Sequence, residues 1–436
     1  MAPSIVHAKA MPAGTPAVPV AIVGAGACGL TAAIFLRERG LDCVLLERDA
    51  TPQGSTALSS GFIPAAGTRV QRAAGVDDSA ALFAADIQRK AHDTAAPHLV
   101  KAYTEAIAPA LDALQERHGL AFELLDGFLY PGHSVRRMHT LAAKTGAALV
   151  GALAAAAERA GAMLVTNARV HELWWNGERI VGVGYLRPDG GVEHLACGAL
   201  LLACNGFGGN AAMVDDLLPE MRGAVFGGHA GNDGSAIAWA RALGLELADL
   251  GGYQGHGSWA VPQGALITWA LMMEGGVQVN AEGQRFHDET QGYSEAAVHV
   301  LAQPGRTAWN VIDGRLLALG RAFPDFVDAE AHGAVKVAAD VPALAALIGC
   351  DADTLRATLA GTQLEAPYAA VKVTGALFHT QGGLAVDARC NARANLFAAG
   401  GAARGVSGNA VWGYLSGNGL LSAVAGGYIA AREMNA

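Results

Sequence analysis

The sequence has few charged side chains and no excess of basic ones. Only 16% of its 436 residues are Asp, Glu, Lys or Arg, and the formal net charge is -9. No basic stripe interrupts this acidic balance, so nucleic acid and anionic membrane surfaces are poor candidate partners. Apolar runs such as "GALLLACNGFGG" are short and broken by glycine, and we therefore expect no membrane span.

Cysteine is also scarce. No two of the six cysteines have the C-x-x-C spacing, which argues against a zinc site, a disulfide framework or attached haem. Residues 1–17 are rich in Pro and Ala and lack the apolar core of a signal peptide, so we interpret them as a flexible leader. Reduced, buried thiols in a cytoplasmic protein without a metal site are the expectation.

Apolar residues, by contrast, are plentiful at 52%, and the 57 glycines are scattered in short turns. A chain of this length is too long for one ordinary core, so one large domain or two interleaved domains are expected.

A nucleotide-binding pattern lies in "VPVAIVGAGACGLTAAIFLRERGLDCVLLERD". A strand-like run ends at Val23, Gly24, Gly26 and Gly29 follow in G-x-G-x-x-G spacing, and a helical segment leads to a second strand ending at Glu47. The glycines permit a tight turn and the approach of a pyrophosphate to the helix N-terminus. The carboxylate is placed to bind the adenosine ribose. This order predicts a dinucleotide site for either FAD or NAD.

The later sequence favours FAD. A long Gly/Ser-rich loop, "TPQGSTALSSGFIPAAGT", follows the acidic residue, where a simple NAD domain continues with another strand and helix. Strand-and-glycine segments recur at residues 199–210 and 394–405, before a final helix at about 417–432. Pieces of a nucleotide domain at the start, middle and end imply that a second domain is inserted between them.

The chain resembles the FAD-dependent fumarate reductase and 3-ketosteroid dehydrogenase superfamily from about residue 18 to 433. The resemblance rests on the N-terminal fingerprint and, in order, on "GSTALSSGF", "LLACNGFGGN", "EGGVQVNAEGQRFHDE", "HTQGGLAVD" and "LFAAGGAARG". It implies an α/β fold in which a Rossmann-like FAD-binding domain (18–232 and 366–436) is interrupted by an α+β capping domain (233–365). Substrate is expected between the cap and the isoalloxazine, exchanging hydride with flavin N5.

The resemblance also implies how FAD is held. Some related proteins attach FAD covalently through a histidine just before a loop threonine, and here Ser55 stands at that place, ahead of Thr56. We therefore predict non-covalent FAD. The further FAD contacts implied are Ser60, Gly61, Val170, Gly400 and Gly401.

Two tyrosines occupy positions where fumarate reductases carry substrate-binding arginines. Tyr293 in "RFHDETQGYSE" replaces the proton-donating arginine, and Tyr414 in "WGYLSGNG" replaces the second, although a one-residue gap would bring Trp412 or Gly413 there instead. Arginine offers a permanent fork of donors for carboxylates, whereas tyrosine offers one phenol that donates or, deprotonated, acts as a base. Ketosteroid dehydrogenases carry tyrosines at about these places, so the resemblance is nearer the ketone-desaturating branch.

The chemistry of a ketone gives these residues roles. Removing a proton alpha to a carbonyl needs a base, and the developing enolate oxygen needs donors. Tyr293 is our candidate base. Tyr414 is the candidate enolate stabiliser, together with a backbone N–H of the Gly417–Gly419 turn at the start of the last helix.

Two histidines match substrate-binding histidines of the fumarate reductases, namely His256 in "GYQGHGSWAVP" and His379 in "LFHTQGG". Each is expected either to bind a substrate oxygen or assist proton transfer, or to be a satisfied structural residue. Trp259 and Trp269 are interpreted as cap core or as a substrate platform.

Other polar residues have weaker assignments. Arg285, Asp288 and Glu289 are expected to form structural ion pairs or hydrogen bonds in the cap. Arg137 and His139 in "SVRRMHT" are candidates for the flavin or substrate mouth, or for a solvated turn.

The sequence thus predicts an FAD-dependent dehydrogenase that introduces an alpha,beta C=C bond into a ketone, preferably cyclic, or an oxo acid. Its chemistry is proton abstraction alpha to the carbonyl and hydride transfer from the beta carbon to flavin N5. The alternatives are a fumarate-reductase-like enoate or dicarboxylate reductase and a non-catalytic flavin-binding protein. The partners are a small-molecule substrate and an electron acceptor that the sequence does not identify.

Overall fold

The computed structural model of the protein describes residues 2–126 and 129–435 and divides the chain into two compact units. The first unit comprises Met1–Leu217, Gly228–Tyr253 and His379–Ala436. The second unit comprises Leu218–Gly227 and Gln254–Phe378. Each unit has its own hydrophobic core.

Strands and helices alternate in the described residues. The strands, in chain order, are β1 (Ser4–His7), β2 (Ala17–Val23), β3 (Cys43–Leu46), β4 (Ile63–Pro64), β5 (Glu123–Leu124), β6 (Met138–Thr140), β7 (Met163–Val165), β8 (Arg169–Trp175), β9 (Ile180–Leu186), β10 (Val192–Leu202), β11 (Val225–Phe226), β12 (Leu247–Ala248), β13 (Tyr253–Ala260), β14 (Ala265–Leu266), β15 (Val277–Val279), β16 (Thr307–Asp313), β17 (Val335–Ala338), β18 (Tyr368–Thr380), β19 (Gly383–Leu384), β20 (Asn391–Arg393) and β21 (Leu396–Ala398). The α-helices are α1 (Ala27–Glu38), α2 (Gly54–Ala57), α3 (Arg69–Ala73), α4 (Ala80–Lys90), α5 (Pro97–His118), α6 (Gly146–Arg159), α7 (Ala211–Leu217), α8 (Ser235–Ala242), α9 (Ala270–Met273), α10 (Tyr293–Leu301), α11 (Gly314–Gly320), α12 (Pro324–Ala331), α13 (Val341–Ile348), α14 (Ala352–Leu359) and α15 (Asn418–Glu433).

The first unit is built on a largely parallel sheet. Its strand order is β1-β8-β9-β10-β2-β3-β7, with β21 also parallel to β10 and β20 paired to β21. The apolar run of β3 is buried throughout, as is the end of β2, which is typical of parallel strands covered on both faces. Helices α1, α5 and α15 pack together beside this sheet. The predicted α/β, Rossmann-like character is confirmed.

The N-terminal segment differs from its prediction. Ser4–His7, within the segment interpreted as a flexible leader, forms strand β1 and pairs in parallel with β8, with Ser4 opposite Glu172. The β-branched residues Ile5 and Val6 favour this extended pairing, and Ile5 packs against the core.

The second unit is an α+β unit around a mainly antiparallel sheet. Its strand order is β14-β13-β18-β16-β15, and β11 and β17 also pair with β18. Its boundaries differ from the predicted 233–365. Helix α8 and strand β12 belong to the first unit because β12 pairs with β19, whereas most of β18 belongs to the second unit because it pairs with β16 along its length.

Three further features of the described residues concern membrane spans, metal sites and thiols. Across the described residues, none of the helices combines the length and the apolar character that a bilayer span requires. Within the same residues no cluster of three or more His, Cys, Asp or Glu side chains is arranged to hold a metal ion. Each of the six cysteines is a free thiol, and Cys204 and Cys350 are the ones that are incompletely buried.

Candidate active site

The glycine turn after β2 accepts no side chain at two of its positions. Gly24 has φ +102°, and a Cβ there would lie 2.6 Å from the carbonyl oxygen of Ala203 at the end of β10. A Cβ on Gly29 would lie 2.0 Å from the Gly24 carbonyl oxygen. Helix α1 then begins after Gly26 without a side-chain cap and without an acidic residue in its first turn. This helix N-terminus suits the binding of a pyrophosphate.

Glu47 is fixed beside this turn. Its Oε2 accepts a hydrogen bond from the Ala25 N–H at 2.8 Å, and its Oε1 accepts one from the Asp49 N–H at 3.0 Å. The residue is only 6% exposed. A carboxylate has about four acceptor positions, so capacity remains for ribose hydroxyls. The turn, the helix end and the carboxylate together fit the nucleotide half of FAD.

The loop after the acidic residue contacts the same region. Thr56 Oγ1 accepts the N–H of Ala27, the first residue of α1, at 3.1 Å. Ser55 Oγ accepts hydrogen bonds from Asn205 Nδ2 at 3.0 Å and from Asn232 Nδ2 at 2.8 Å. The sequence reasoning missed both asparagines, although Asn205 lies in the quoted "LLACNGFGGN" segment.

The remaining residues predicted to contact FAD differ in burial and in backbone conformation. A Cβ on Gly401 would lie 2.1 Å from Asn205 Oδ1, so Gly401 lies beside the Ser55 network. Gly61 has φ +71°, Gly400 has φ +60°, and Ser60 is exposed. The side chain of Val170 is packed in the core of the first unit, which leaves only its backbone available to a ligand.

The first unit brings together four predicted site residues at the start of the last helix. The rings of His379 and Tyr414 meet edge-on, with centroids 5.5 Å apart and planes at 73°. Gly417 is the N-cap of α15 with φ +86°. A Cβ on Gly419 would lie 2.7 Å from His379 Cε1, so glycine is what allows the imidazole to lie against the first turn of α15.

His379 is a half-buried, neutral histidine. Burial lowers its pKa to about 4, so the ring is uncharged near neutral pH. Its Nδ1 is 3.0 Å from Gln381 Nε2, a donor. The ring can therefore present a donor or an acceptor to a ligand only through Nε2.

The second unit holds the other predicted pair. His256 on β13 stacks on Tyr293, with ring centroids 4.9 Å apart, and it meets the edges of Trp269 and Phe378. Its Nδ1 accepts the Ser258 N–H at 3.1 Å, which places the proton of the neutral ring on Nε2. Burial lowers the pKa of His256 to about 3.

Tyr293 is positioned by the start of α10. It is the first residue of that helix, after Gly292, whose φ of +131° is open to glycine alone. Ser294 Oγ donates to the Gly255 carbonyl at 3.2 Å and ties the helix start to β13. This local geometry places the tyrosine over the histidine.

The two tryptophans separate into different environments. Trp269 is buried in the core of the second unit, and its Nε1 donates to the Glu289 carbonyl at 3.2 Å. Trp259 is half-buried and meets Phe378 edge-on at 5.6 Å. Of the two, only Trp259 has ring surface available for a substrate.

The polar stretch before Tyr293 is largely structural. Arg285 pairs with Glu289, which is 2% exposed and also accepts the Gln278 N–H at 2.8 Å. His287 Nε2 lies 2.8 Å from Gln278 Oε1. Asp288 accepts the Thr290 N–H at 2.9 Å and caps a short 3₁₀ turn. These contacts support the expectation of structural pairing.

Arg137 and His139 are not on a solvated turn. The guanidinium of Arg137 is fully buried, binds Asp78 at 2.8 and 2.9 Å and also pairs with Asp86. His139 lies between Thr68 Oγ1 at 2.7 Å and the Arg137 carbonyl at 2.9 Å. Both residues are committed to buried networks, and sequence reasoning missed the two aspartates because they lie far away along the chain.

Comparisons with known proteins also indicate that the chain binds FAD. The chain matches the family model described as "FAD binding domain" over residues 19–420. It is similar to NADH:fumarate oxidoreductase of Klebsiella pneumoniae (strain 342), with 27% identity over 391 residues, which are 84% of this chain and 42% of that protein. The chain therefore spans less than half the length of that relative. It is also similar to 4-oxocyclohexanecarboxylate 2-dehydrogenase of Sinomonas cyclohexanicum, with 25% identity over 78% of this chain and 72% of that protein.

Solved structures with the same fold include both branches of the superfamily. A flavocytochrome c3 fumarate reductase in an open conformation has a TM-score of 0.81 and 25% identity, over 96% of this chain and 78% of that one. The 3-ketosteroid-delta4-(5alpha)-dehydrogenase of Rhodococcus jostii RHA1 has a TM-score of 0.77 and 23% identity, over 99% of each chain. The chain belongs to the FAD-binding-domain family, and its cofactor is FAD.

Proposed function

We propose that the protein introduces an alpha,beta C=C bond into a small ketone, preferably a cyclic one, or an oxo acid. The proposal rests on the resemblance, which places a tyrosine at each of the two positions where fumarate reductases have an arginine, and on the surroundings of those two tyrosines in the structure. Each tyrosine ring packs against a neutral histidine, Tyr293 against His256 and Tyr414 against His379. Phenol and neutral imidazole groups suit an uncharged ketone better than a dicarboxylate.

The residues divide the chemistry between them. Tyr293, in its deprotonated form, receives the proton from the carbon alpha to the carbonyl, while His256 offers its Nε2–H to a substrate oxygen. Tyr414 and the N–H groups at the start of α15 donate to the oxygen on which negative charge develops. Bound FAD supplies the acceptor for the hydride that leaves the beta carbon. The C=C bond forms from the electron pair that the departing proton leaves on the alpha carbon, as hydride leaves the beta carbon.

The charged neighbours of these residues in the sequence support the same substrate class. Arg285 is paired with Glu289, and Arg404 binds Asp249 Oδ2 through two nitrogens at 2.8 and 3.0 Å. Both guanidiniums are thus occupied by the protein's own carboxylates. The name of the Sinomonas relative describes a dehydrogenase of a cyclic ketone, which supports a small cyclic ketone over a steroid.

A fumarate-reductase-like activity is the second candidate. It is favoured by His256 and His379, which the resemblance places at the substrate-binding histidines of that branch, and by several relatives that are named fumarate reductases or fumarate oxidoreductases. In that reaction the reduced flavin gives hydride to an unsaturated acid, and the same two histidines would bind its carboxylate oxygens.

Anaerobic flavin bleaching separates these candidates. The FAD-loaded protein would be mixed with cyclohexanone, 4-oxocyclohexanecarboxylate, a saturated 3-ketosteroid and succinate, and the oxidised-flavin absorption band followed. Bleaching by the first two and not by succinate is the expected result. Reoxidation of the reduced protein by fumarate but by no enone would replace the proposal with the second candidate. If no compound changes the flavin spectrum in either direction, a non-catalytic flavin protein is the better description.

A further inference from the structure

A line of buried polar side chains runs from the last helix to His379. Asn418 Nδ2 donates to Ser407 Oγ, Ser407 Oγ donates to Gln381 Oε1, and Gln381 Nε2 contacts His379 Nδ1, each at 3.0 Å. Ser407 and Asn418 are fully buried, and Gln381 is 4% exposed. All four residues belong to the first unit.

The middle of this chain is held rigidly. The backbone N–H of Gln381 donates to the Gly252 carbonyl at 2.7 Å, and the Gln381 carbonyl accepts the Gly405 N–H at 2.7 Å. Asn418 is the first residue of α15, whose backbone is fixed by the helix. The backbone of Gln381 is therefore fixed, and its side-chain amide is held between Ser407 and His379 by the hydrogen bonds given above.

The polarity of the chain determines where the His379 proton lies. An amide nitrogen donates and does not accept, so Nδ1 of the imidazole must be the acceptor. A neutral ring with an accepting Nδ1 carries its proton on Nε2. Among residues 2–126 and 129–435, the competing contact of Nδ1 is with the Thr380 carbonyl, which lies farther away at 3.5 Å.

We propose that the chain Asn418–Ser407–Gln381 fixes His379 in the Nε2–H tautomer, which makes His379 a hydrogen-bond donor to a substrate oxygen and not a base. Gln381, Ser407 and Asn418 are positioning residues, since they act through the imidazole. The tautomer follows from the orientation of the Gln381 and Asn418 amides, whereas the donor role rests on the proposed function.

The tautomer can be measured without substrate. Histidine labelled with ¹⁵N in the FAD-loaded protein distinguishes protonated from unprotonated ring nitrogens, and the His379→Asn variant assigns the signal. We expect a proton on Nε2 in the unaltered protein. Asn418→Asp replaces the donor amide at residue 418 by a carboxylate, which only accepts. The Ser407 hydroxyl must then donate to this carboxylate, so Ser407 accepts from the Gln381 amide, and the Gln381 carbonyl oxygen accepts from His379 Nδ1. A carboxylate is tolerated there because a helix N-terminus stabilises negative charge.

The expected result for Asn418→Asp is a His379 proton that moves to Nδ1, three side chains away from the substitution. Gln381→Glu should give the same tautomer directly. In the Ser407→Ala background, Asn418→Asp should change nothing, because the chain is interrupted. A proton on Nδ1 in the unaltered protein, or the same tautomer with Asn418→Asp, overturns the proposal.

Turnover then tests the donor role. With a ketone that bleaches the unaltered enzyme, Gln381→Glu should lower kcat/KM by about 100-fold, the typical effect of losing one oxyanion donor, with FAD affinity unchanged. A reversed tautomer with full ketone turnover overturns the donor role alone. Failure of every ketone to bleach the unaltered enzyme is a separate result that overturns the proposed function and leaves the tautomer measurement standing.

Discussion

The imidazole of His256 lies face to face with the phenol ring of Tyr293, with centroids 4.9 Å apart and planes at 19°. Because Nδ1 of this histidine accepts a backbone N–H, its Nε2 is the donor, and the stack therefore places a donor nitrogen next to a phenol. The first unit repeats the combination with His379 and Tyr414 in an edge-on contact. In the sequence, the two tyrosines favoured the ketosteroid dehydrogenase branch and the two histidines favoured the fumarate reductase branch. In the structure, each of these tyrosines contacts one of these histidines.

Removal of the Tyr293 hydroxyl should abolish most ketone turnover. Tyr293→Phe keeps the ring that stacks on His256 but loses the group assigned to take the alpha proton, and general-base contributions are typically about 100- to 10,000-fold. Stopped-flow flavin reduction measures the step. Tyr368→Phe in the same unit is the matched control and should stay close to the unaltered rate. A Tyr293→Phe enzyme with full activity would remove the base assignment.

A methyl group at Gly26 should weaken FAD binding without preventing folding. A Cβ at this position meets only Thr56 Oγ1, at an ordinary 3.5 Å, but it lies where a pyrophosphate would approach the helix N-terminus. We expect Gly26→Ala to raise the FAD dissociation constant by about tenfold or more, measured by flavin fluorescence. Gly151→Ala on α6 has no atom within 4 Å of the new Cβ and serves as the control. Equal affinities in the two variants would argue against the assigned cradle.

FAD should leave the protein on acid precipitation. The resemblance places Ser55 where some related proteins carry the linking histidine, and its hydroxyl accepts hydrogen bonds from Asn205 and Asn232. The yellow colour is expected in the supernatant after trichloroacetic acid treatment, with the mass of the polypeptide unchanged. A flavin adduct that stays in the pellet would contradict the prediction of non-covalent binding.

Arg137 should be needed for stability. Its buried guanidinium neutralises Asp78 and Asp86, and Asp86 has its pKa lowered to about 2 by hydrogen bonds from Ser134, Arg137 and Arg89, against the opposing effect of its burial. Arg137→Leu removes the buried guanidinium that two buried carboxylates share and should lower the free energy of unfolding by about 3–5 kcal/mol, measured in urea.

The neighbouring arginine provides the control for this prediction. Arg136 is exposed and pairs with the exposed Asp126, so Arg136→Leu should change stability by less than about 1 kcal/mol. Similar losses in the two variants would show that the buried network is not the cause.

Burial of His256 should make stability fall in mild acid. Its folded pKa of about 3 lies below the unfolded value, so the unfolded chain binds a proton that the folded ring refuses. The contribution is fully present above about pH 6.5 and is lost as pH falls towards 3, by about 2 kcal/mol between pH 7 and pH 5. Urea denaturation of His256→Gln should show a shallower pH dependence by this amount. An unchanged slope would mean that His256 is not neutral in the folded protein.

Much of the FAD site could be predicted from local sequence. The fingerprint from Gly24 to Gly29 and the acid at Glu47 are neighbours of β2, α1 and β3, so their geometry follows from one strand–helix–strand unit. The roles of Asn205, Asn232 and Arg137 could not be predicted. Their hydrogen bonds and ion pairs join segments far apart in the chain, and no periodic pattern in the local sequence indicates such contacts.

The boundaries of the inserted unit could not be predicted because they depend on which strands pair with one another. β12 looked like part of the cap but pairs with β19, while β18 looked like the return of the nucleotide domain but pairs with β16. Both are apolar strands, and apolar pattern alone does not say which partner strand supplies the hydrogen bonds.

The sequence by itself determined the FAD-binding fold and the types of residue available for chemistry, because glycine spacing, strand periodicity and the presence of Tyr293 and Tyr414 are local properties of the chain. Only the tertiary structure decided that His256 stacks on Tyr293, that Gln381 contacts His379 Nδ1, and that Arg137 is buried. These outcomes depend on which side chains, distant in the sequence, pack together and bury one another away from water. The protonation state of a histidine is set by its burial and by its hydrogen-bond partner, and the residues next to it in the sequence determine neither.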